Sequence, residues 1–247
     1  MKNLYQARLN IREKMTSAYL NKSLSEKSAR HLQELMRYIR GVEDYIGYQA
    51  GKLPSSSQKR FGLFPSNETY LNSNVGSEEF VIQSGDILLS RGSAATSGAI
   101  ARLGNDDTQF SHLAFVYIDQ ATKEAFTIEA HIELGVVVAP LSKWLTDGKK
   151  RTAIYRFEDR TLAHNAAKIM YIKTNAASNA GRNIPYDFSF NMNDASSLFC
   201  SEVARHGFEL ASDNQVKIPL FPAKLTPKNP TFLRQIGITV SESFIPA

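Results

Sequence analysis

The hydrophobic periodicity of the chain changes near residue 80, and this change limits the possible folds more than any other feature. Before that point, apolar residues recur at intervals of three and four, as on one face of an α-helix. After it, apolar residues stand in short runs, and residues 113–118 form a continuous run typical of a strand covered on both faces. Strands combined with peripheral helices predict an α+β fold.

Residues 1–50 contain no proline and predict two amphipathic helices that form a helical hairpin. Ser25 is placed to cap the second helix, and Gly47 and Gly51 weaken its end. Residues 51–79 are rich in Ser, Gly, Pro and Asn, so we expect a linker. The two apolar stripes consist of Leu4, Ala7, Ile11, Met15 and Ala18, and of Leu32, Leu35, Met36, Ile39, Val42 and Ile46.

Residues 80–212 predict a single domain, followed by a C-terminal tail at residues 213–247. Residues 125–130 and 135–139 flank a short polar turn, which favours a hairpin. From Tyr186 to Asn193, apolar and polar residues alternate with a period of two, which predicts an extended segment. Further strands are expected at residues 87–89, 113–118 and 153–157, and helices at residues 162–177 and from residue 197 onward.

Composition and charge exclude several classes of protein. Hydrophobic residues make up 43% of the chain and charged residues 21%, which is ordinary globular composition. Residues 1–50 carry nine Lys and Arg against five Asp and Glu, whereas the remainder carries 20 against 19. A solvated helical face explains this excess, and no basic, aromatic-rich patch predicts a nucleic-acid partner. Contact of the basic hairpin with a membrane or cell wall stays open.

The chain also has no sequence signal for insertion into a membrane. No apolar run approaches the roughly 20 residues that span a bilayer. Lys2, Arg8 and Arg12 are not followed by the apolar segment of a signal peptide. We therefore expect a soluble chain, and its compartment is left undetermined.

Cys200 is the one cysteine of the sequence, which excludes an intramolecular disulfide and a multi-cysteine zinc site. It stands at the start of the helix predicted from Ser197, with Ser196 or Ser197 as the expected cap. Unpaired N–H groups and the helix dipole favour an anion there, so a cysteine at such a position ionises more easily and becomes a nucleophile. A small buried hydrophobic residue is the alternative interpretation of a lone cysteine.

A cysteine nucleophile requires a base, and among the five histidines His112 is the best placed, at the mouth of an apolar strand. Glu129 lies amid apolar residues of the next strand, where it could orient an imidazole. Glu129, His131 and Glu133 would share one face if that strand continued. Such a face also admits a metal site, although the spacing matches no strong ligand motif, and it equally admits a solvent-facing strand.

The order of these segments resembles that of the circularly permuted, papain-like amidohydrolases of the NlpC type. This is the YaeF/YiiX-like group, which is distantly related to lecithin:retinol acyltransferase. The resemblance covers roughly residues 80–212. It rests on six motifs in the following order: Gly85-Asp86-Ile87-Leu88-Leu89, Phe110-Ser111-His112-Leu113-Ala114, Ile128-Glu129-Ala130, Pro140-Leu141-Ser142-Lys143-Trp144-Leu145, Pro185-Tyr186-Asp187-Phe188 and Phe199-Cys200-Ser201-Glu202-Val203.

The resemblance implies an antiparallel sheet packed against the cysteine-bearing helix. It implies Cys200 as nucleophile, His112 as general base and Glu129 as the residue that orients His112. Tyr186 would line the site and help stabilise the oxyanion. Many unpermuted relatives use a histidine as the third residue, so His131 stays an alternative to Glu129.

The activity implied by the resemblance is that of a thiol-dependent hydrolase or acyltransferase without metal or cofactor. It would cleave an amide of the cell-wall peptide type, or a lipid ester or amide, through a thioacyl-enzyme. Two alternatives remain: a non-catalytic binding module on the same fold, and a membrane-surface adaptor that acts through residues 1–50. The sequence does not determine the oligomeric state.

Overall fold

The computed structural model describes residues 2–51, 61–64, 67–69, 81–92, 97, 100–101, 110–147 and 151–218. Internal contacts divide the chain into two compact units, Met1–Val81 and Ile82–Ala247. Most of the expected linker, and the expected tail beyond residue 218, lie outside the described residues. None of the helices in the described ranges combines the length and the hydropathy that crossing a membrane requires.

The first unit contains the two helices that the apolar stripes predict. These are α1 (Lys2–Leu20) and α2 (Glu26–Gly51), and they are followed by the antiparallel strands β1 (Phe61–Phe64) and β2 (Asn67–Thr69). Ser25 caps α2 as expected, because its Oγ accepts a hydrogen bond from the Ser28 N–H at 3.1 Å. A buried ion pair joins the two helices, with Arg8 Nε 3.0 Å from Glu43 Oε1.

The second unit is an antiparallel sheet with helices, which confirms the α+β class. The sheet order is β6-β5-β4-β3-β7, and every neighbouring pair is antiparallel. The elements in chain order are β3 (Ile87–Arg91), β4 (His112–Ile118), β5 (Ala125–His131), β6 (Gly135–Pro140), α3 (Leu141–Thr146), β7 (Arg151–Tyr155), α4 (Arg160–Asn179) and α5 (Cys200–Ala211).

The strand β4 is the centre of the core, since both of its faces are covered. Phe115 belongs to a cluster with residues of α4 and α5, including Met170 and Phe208. Val116, which points to the opposite face of the strand, packs with Leu88 and Trp144. The continuous apolar run in the sequence therefore reports a strand buried on both sides, as predicted.

The cysteine-bearing helix begins later than the sequence suggests. Its N-cap is Phe199, with φ −94° and ψ 177°, and Cys200 is its first helical residue. The expected caps Ser196 and Ser197 precede the helix, and Ser196 instead donates its N–H to the side chain of Asp194 at 2.9 Å. The serines are therefore in the wrong place to cap α5, and the prediction of a start at Ser197 is wrong.

The alternation from Tyr186 to Asn193 does not form a strand. The side chain of Asp187 accepts hydrogen bonds from the N–H of Ser189 at 2.7 Å and from the N–H of Asn191 at 2.8 Å. It also accepts the Ser189 hydroxyl at 2.6 Å. These local bonds turn the backbone and replace the ladder that a strand would need, so the expectation of an extended segment is corrected.

Candidate active site

The N-terminus of α5 and the neighbouring strands β4 and β5 bring Cys200, His112 and Glu129 together. Cys200 is buried, with 9% of its surface exposed. The side chains of His112 and Cys200 lie close enough to interact. The His112 ring is also hydrogen-bonded to Glu129, with Nε2 2.7 Å from Glu129 Oε2. The imidazole thus lies between a thiol and a carboxylate, the arrangement in which a base is oriented by a third group.

The sheet register explains how the two strands place these groups. Ala114 pairs with Glu129 across β4 and β5. His112, two residues before Ala114, therefore lies on the same side of the sheet as Glu129 and diagonal to it, within reach of a long side chain. This placement depends on a long-range pairing, which no local spacing in the sequence reveals.

Glu129 is a buried carboxylate with both oxygens hydrogen-bonded. It is 4% exposed, and Thr127 Oγ1 donates to its Oε1 at 2.7 Å. Burial would raise the pKa of Glu129, but the hydrogen bond and charge of His112, together with the Thr127 hydrogen bond, lower it below its ordinary value. The carboxylate is therefore ionised at neutral pH and faces the His112 ring as an anion.

His112 has an unusually stable protonated form in this setting. Burial alone would lower the pKa of His112, but hydrogen bonds to Cys200 and Glu129 and the charges of both groups raise it from 6.5 to about 9. The ring is 21% exposed at its side chain, so a substrate can reach it. At neutral pH the site therefore holds an imidazolium between two acidic partners.

His131, the alternative third residue, lies farther from the base. Its Nε2 is 3.7 Å from Glu129 Oε2, and its ring centroid is 5.4 Å from that of His112. The strand β5 ends at His131, so Glu133 falls in the following turn and the expected shared face stops there. Glu129 is the group that contacts His112 directly, at 2.7 Å.

A metal ion could be ligated by three of these residues. One ligand atom each from His112, Glu129 and His131 lies within 4.8 Å of the others. However, His112 Nε2 and Glu129 Oε2 already bond to each other, and Thr127 occupies the second carboxylate oxygen. An ion would therefore have to replace the contact that orients the base.

Tyr186 lies close enough to Cys200 for the two side chains to interact electrostatically. Burial, followed by the negative charges of Cys200, Asp187 and Glu202, raises the pKa of the Tyr186 phenol well above its ordinary value. The phenol therefore stays protonated and is available as a hydrogen-bond donor. The loop that carries Tyr186 is tied to the start of α5, because the Leu198 N–H donates to Pro185 O at 3.0 Å.

Two residues of this region were not found from the sequence. Thr127 orients Glu129 from the same face of β5. Residues two positions apart in a strand share a face, so the spacing of Thr127 and Glu129 in the sequence could have revealed this contact. Glu202 lies in the first turn of α5 and is 3% exposed. Its signal would have been an acidic residue three positions after the N-cap, but that pattern is visible only when the true cap, Phe199, is known.

Comparison with known protein families identifies the family of the chain. A family model described as permuted papain-like amidase enzyme, YaeF/YiiX, C92 family, matches residues 81–245. The chain belongs to this permuted papain-like amidase family. The match confirms the resemblance seen in the sequence, and membership makes the chain a papain-like amidase or peptidase.

Among solved structures, one titled "Crystal structure of metalloprotein yiiX from Escherichia coli O157:H7, DUF1105" is similar, with 25% identity and a TM-score of 0.39. The match covers 53% of this chain and 67% of that chain. No curated protein matches the chain.

Proposed function

We propose that the chain is a cysteine-dependent amide hydrolase in which Cys200 is the nucleophile and His112 the general acid and base. The observation that carries this proposal is the His112 ring, which interacts with the Cys200 side chain and is hydrogen-bonded to Glu129 at 2.7 Å. Glu129 fixes the orientation of the ring and favours its protonated form.

In the first half of the reaction, the Cys200 thiolate attacks the carbonyl carbon of an amide. The developing oxyanion accepts a hydrogen bond from the N–H of Cys200, which has no intrahelical acceptor in the first turn. The Tyr186 phenol supplies a second donor. The imidazolium of His112 then gives its proton to the leaving nitrogen, the C–N bond breaks, and a thioester on Cys200 remains.

In the second half, neutral His112 accepts a proton from water as the water oxygen attacks the thioester. The C–S bond breaks, the carboxylic acid leaves, and Cys200 and His112 return to the thiolate and imidazolium. An amine or alcohol in place of water would make the same enzyme an acyltransferase. The substrate classes considered are cell-wall peptide amides and lipid esters or amides, and the basic hairpin of residues 1–50 would suit the anionic surface of either.

Acylation of the intact protein by p-nitrophenyl acetate tests this proposal without knowledge of the substrate. Attack by Cys200 releases p-nitrophenolate and adds one acetyl group to the cysteine. We expect a rapid burst and a transient acetyl adduct in the wild type, no adduct at this position in Cys200→Ala, and a strongly slowed reaction in His112→Ala. Equal acetylation in all three proteins would overturn the proposal in favour of a non-catalytic binding module.

Amide and ester substrates are then separated with a panel of cell-wall peptide amides, N-acyl amides and lipid esters. Each assay is repeated with EDTA, because a metal ion at His112, Glu129 and His131 would compete with the proposed chemistry. We expect turnover to be unchanged by the chelator. Turnover that requires added metal and survives in Cys200→Ala would show that a metal hydrolase, not a thiol hydrolase, is at work.

A further inference from the structure

Glu202 is a buried acidic residue that the proposed mechanism does not use. It lies in the first turn of α5, two residues after Cys200, and is 3% exposed. Its Oε2 accepts the N–H of Phe199 at 3.0 Å. In a full capping box, the N-cap side chain would also accept a hydrogen bond from the N–H of Glu202. The Phe199 side chain has no acceptor, so only the hydrogen bond made by the Glu202 side chain is present.

This hydrogen bond acts on the residue directly before the nucleophile. Phe199 itself is 1% exposed, and its ring lies 4.8 Å from that of Phe190. The carboxylate of Glu202 holds the N–H of Phe199, and the N–H of Glu202 holds the Phe199 carbonyl at 3.1 Å. That carbonyl belongs to the peptide that joins Phe199 to Cys200, so Glu202 and the packed ring leave this peptide little freedom. The direction of the Cys200 side chain and of its N–H depends on that peptide.

The surroundings of Glu202 make its burial costly. Burial, together with the charges of Asp187 and Asp194, raises the pKa of Glu202 from 4.5 to about 7, although the Phe199 N–H and the charge of Arg205 act to lower it. A buried carboxyl held among other acids stabilises the fold less than a neutral acceptor would. The hydrogen bond that Glu202 Oε2 accepts from the Phe199 N–H partly compensates the cost of burying this carboxyl.

We propose that Glu202 is a positioning residue for Cys200: it holds the N–H of Phe199 and so fixes how the thiol and the N–H of Cys200 meet the substrate. This inference rests on the proposed function of Cys200 as the nucleophile. The role is geometric, so any side chain that presents an acceptor at the same distance should fulfil it.

Three variants of Glu202 separate geometry from charge. Glu202→Gln keeps the length and an acceptor oxygen but removes the charge. Glu202→Asp keeps the charge but is one methylene too short to reach Phe199. Glu202→Ala removes both. Glu209→Ala is the matched control, because Glu209 lies two turns later on the same helix, pairs with Arg205 at 2.9 Å and does not contact the N-cap.

The measurement is p-nitrophenyl acetate turnover, resolved into kcat and KM, together with the melting temperature of each full-length protein. We expect Glu202→Ala and Glu202→Asp to lose roughly ten- to hundredfold in kcat with little change in KM, as for a small misplacement of a nucleophile. Glu202→Gln should retain kcat within about threefold of the wild type. Glu209→Ala should retain the wild-type kcat even if its melting temperature is lower than that of the wild type.

Several results would overturn the inference. Wild-type kcat in Glu202→Asp or Glu202→Ala would remove any positioning role, and loss of kcat in Glu202→Gln with activity in Glu202→Asp would show that the charge acts instead. If Glu202→Ala does not fold, the Gln and Asp variants still decide. His112→Ala, assayed in parallel, keeps the two proposals apart: a wild type that does not depend on His112 refutes the proposed function, whereas His112 dependence with no effect at Glu202 refutes only the positioning role.

Discussion

At the scale of single residues, the proposed reaction depends on the charge of His112. Its ring carries a proton at neutral pH because Cys200 and Glu129 stabilise the imidazolium against the effect of burial. The leaving nitrogen of an amide needs that proton, so the proposed reaction needs His112 in its protonated form. The alkaline limb of the pH profile therefore reports the loss of the His112 proton.

The first prediction concerns the alkaline limb. His112 is protonated below a pKa of about 9 and loses its proton above it, so amide hydrolysis should fall as the pH rises through about 9. Alkylation of Cys200 needs no acid and should not fall with it. Rates of both reactions between pH 5 and 10.5 check this. Parallel decline of both rates above pH 9 would contradict the role of His112 as an acid.

The second prediction concerns Glu129. Glu129→Gln replaces the carboxylate by a neutral amide, so the imidazolium loses one of the two charges that raise its pKa. We expect the alkaline limb to move to lower pH and kcat to fall by at least tenfold, since acid–base groups contribute on the order of 10²–10⁴-fold. His131→Gln is the matched control on the same strand. A larger effect at His131 would make it the orienting residue.

At the scale of elements, the position of Cys200 depends on how closely α5 approaches α4 and β4. Gly207 lies where the helix meets both, and a Cβ there would stand 2.9 Å from Ala166 O, 2.9 Å from Met170 Cγ and 3.1 Å from Phe115 Cε1. Met170 can adjust, but the backbone oxygen of Ala166 cannot do so without moving α4. The glycine therefore sets the depth at which α5, and with it Cys200, rests on the sheet.

The third prediction is that Gly207→Ala lowers the free energy of unfolding by about 1–3 kcal/mol, the usual cost of overpacking. Gly41→Ala is the control, because Gly41 lies within α2 and its Cβ would meet nothing within 4 Å. That substitution should stabilise the helix by roughly 0.5–1 kcal/mol. Thermal or urea unfolding measures both changes. Equal stability in the two variants would refute the close packing at Gly207.

The elements also show what the sequence can and cannot predict. Strand β4 and the hairpin of β5 and β6 follow from apolar runs and a polar turn, because local pattern and tertiary burial agree there. The segment after Tyr186 has the same alternation, yet Asp187 turns it through local hydrogen bonds. His112 and Cys200 lie far apart in the chain, so the sequence could nominate His112 as a base by its position at a strand end, but only the resemblance to a family linked it to Cys200.

At the scale of the whole molecule, the candidate site residues and the excess of basic residues lie in different units. Cys200, His112, Glu129 and Tyr186 all belong to the unit Ile82–Ala247. The helices α1 and α2 belong to the other unit, where the ion pair between Arg8 and Glu43 joins them. The basic excess of the sequence also lies in that first unit. The candidate site residues and the basic excess therefore belong to separate units of the chain.

The fourth prediction follows from this division. A chain that lacks residues 2–51 should acetylate Cys200 with p-nitrophenyl acetate at the wild-type rate, because none of the site residues is removed. Binding to vesicles with anionic lipid should weaken in the same chain if the basic helices contact a membrane. Loss of acetylation with retained folding, judged by circular dichroism, would show that the helices take part in the reaction.

The most direct test of the central claim, the pairing of Cys200 with His112, is the rate of iodoacetamide alkylation as a function of pH in the wild type and in His112→Ala. Every adduct reports on Cys200, because the chain has no other cysteine. Free thiols titrate near ~8.5. The pairing predicts fast labelling that persists below pH 7 in the wild type and is lost there in His112→Ala. Slow labelling below pH 7 that does not depend on His112 would contradict it and leave Cys200 as a buried core residue.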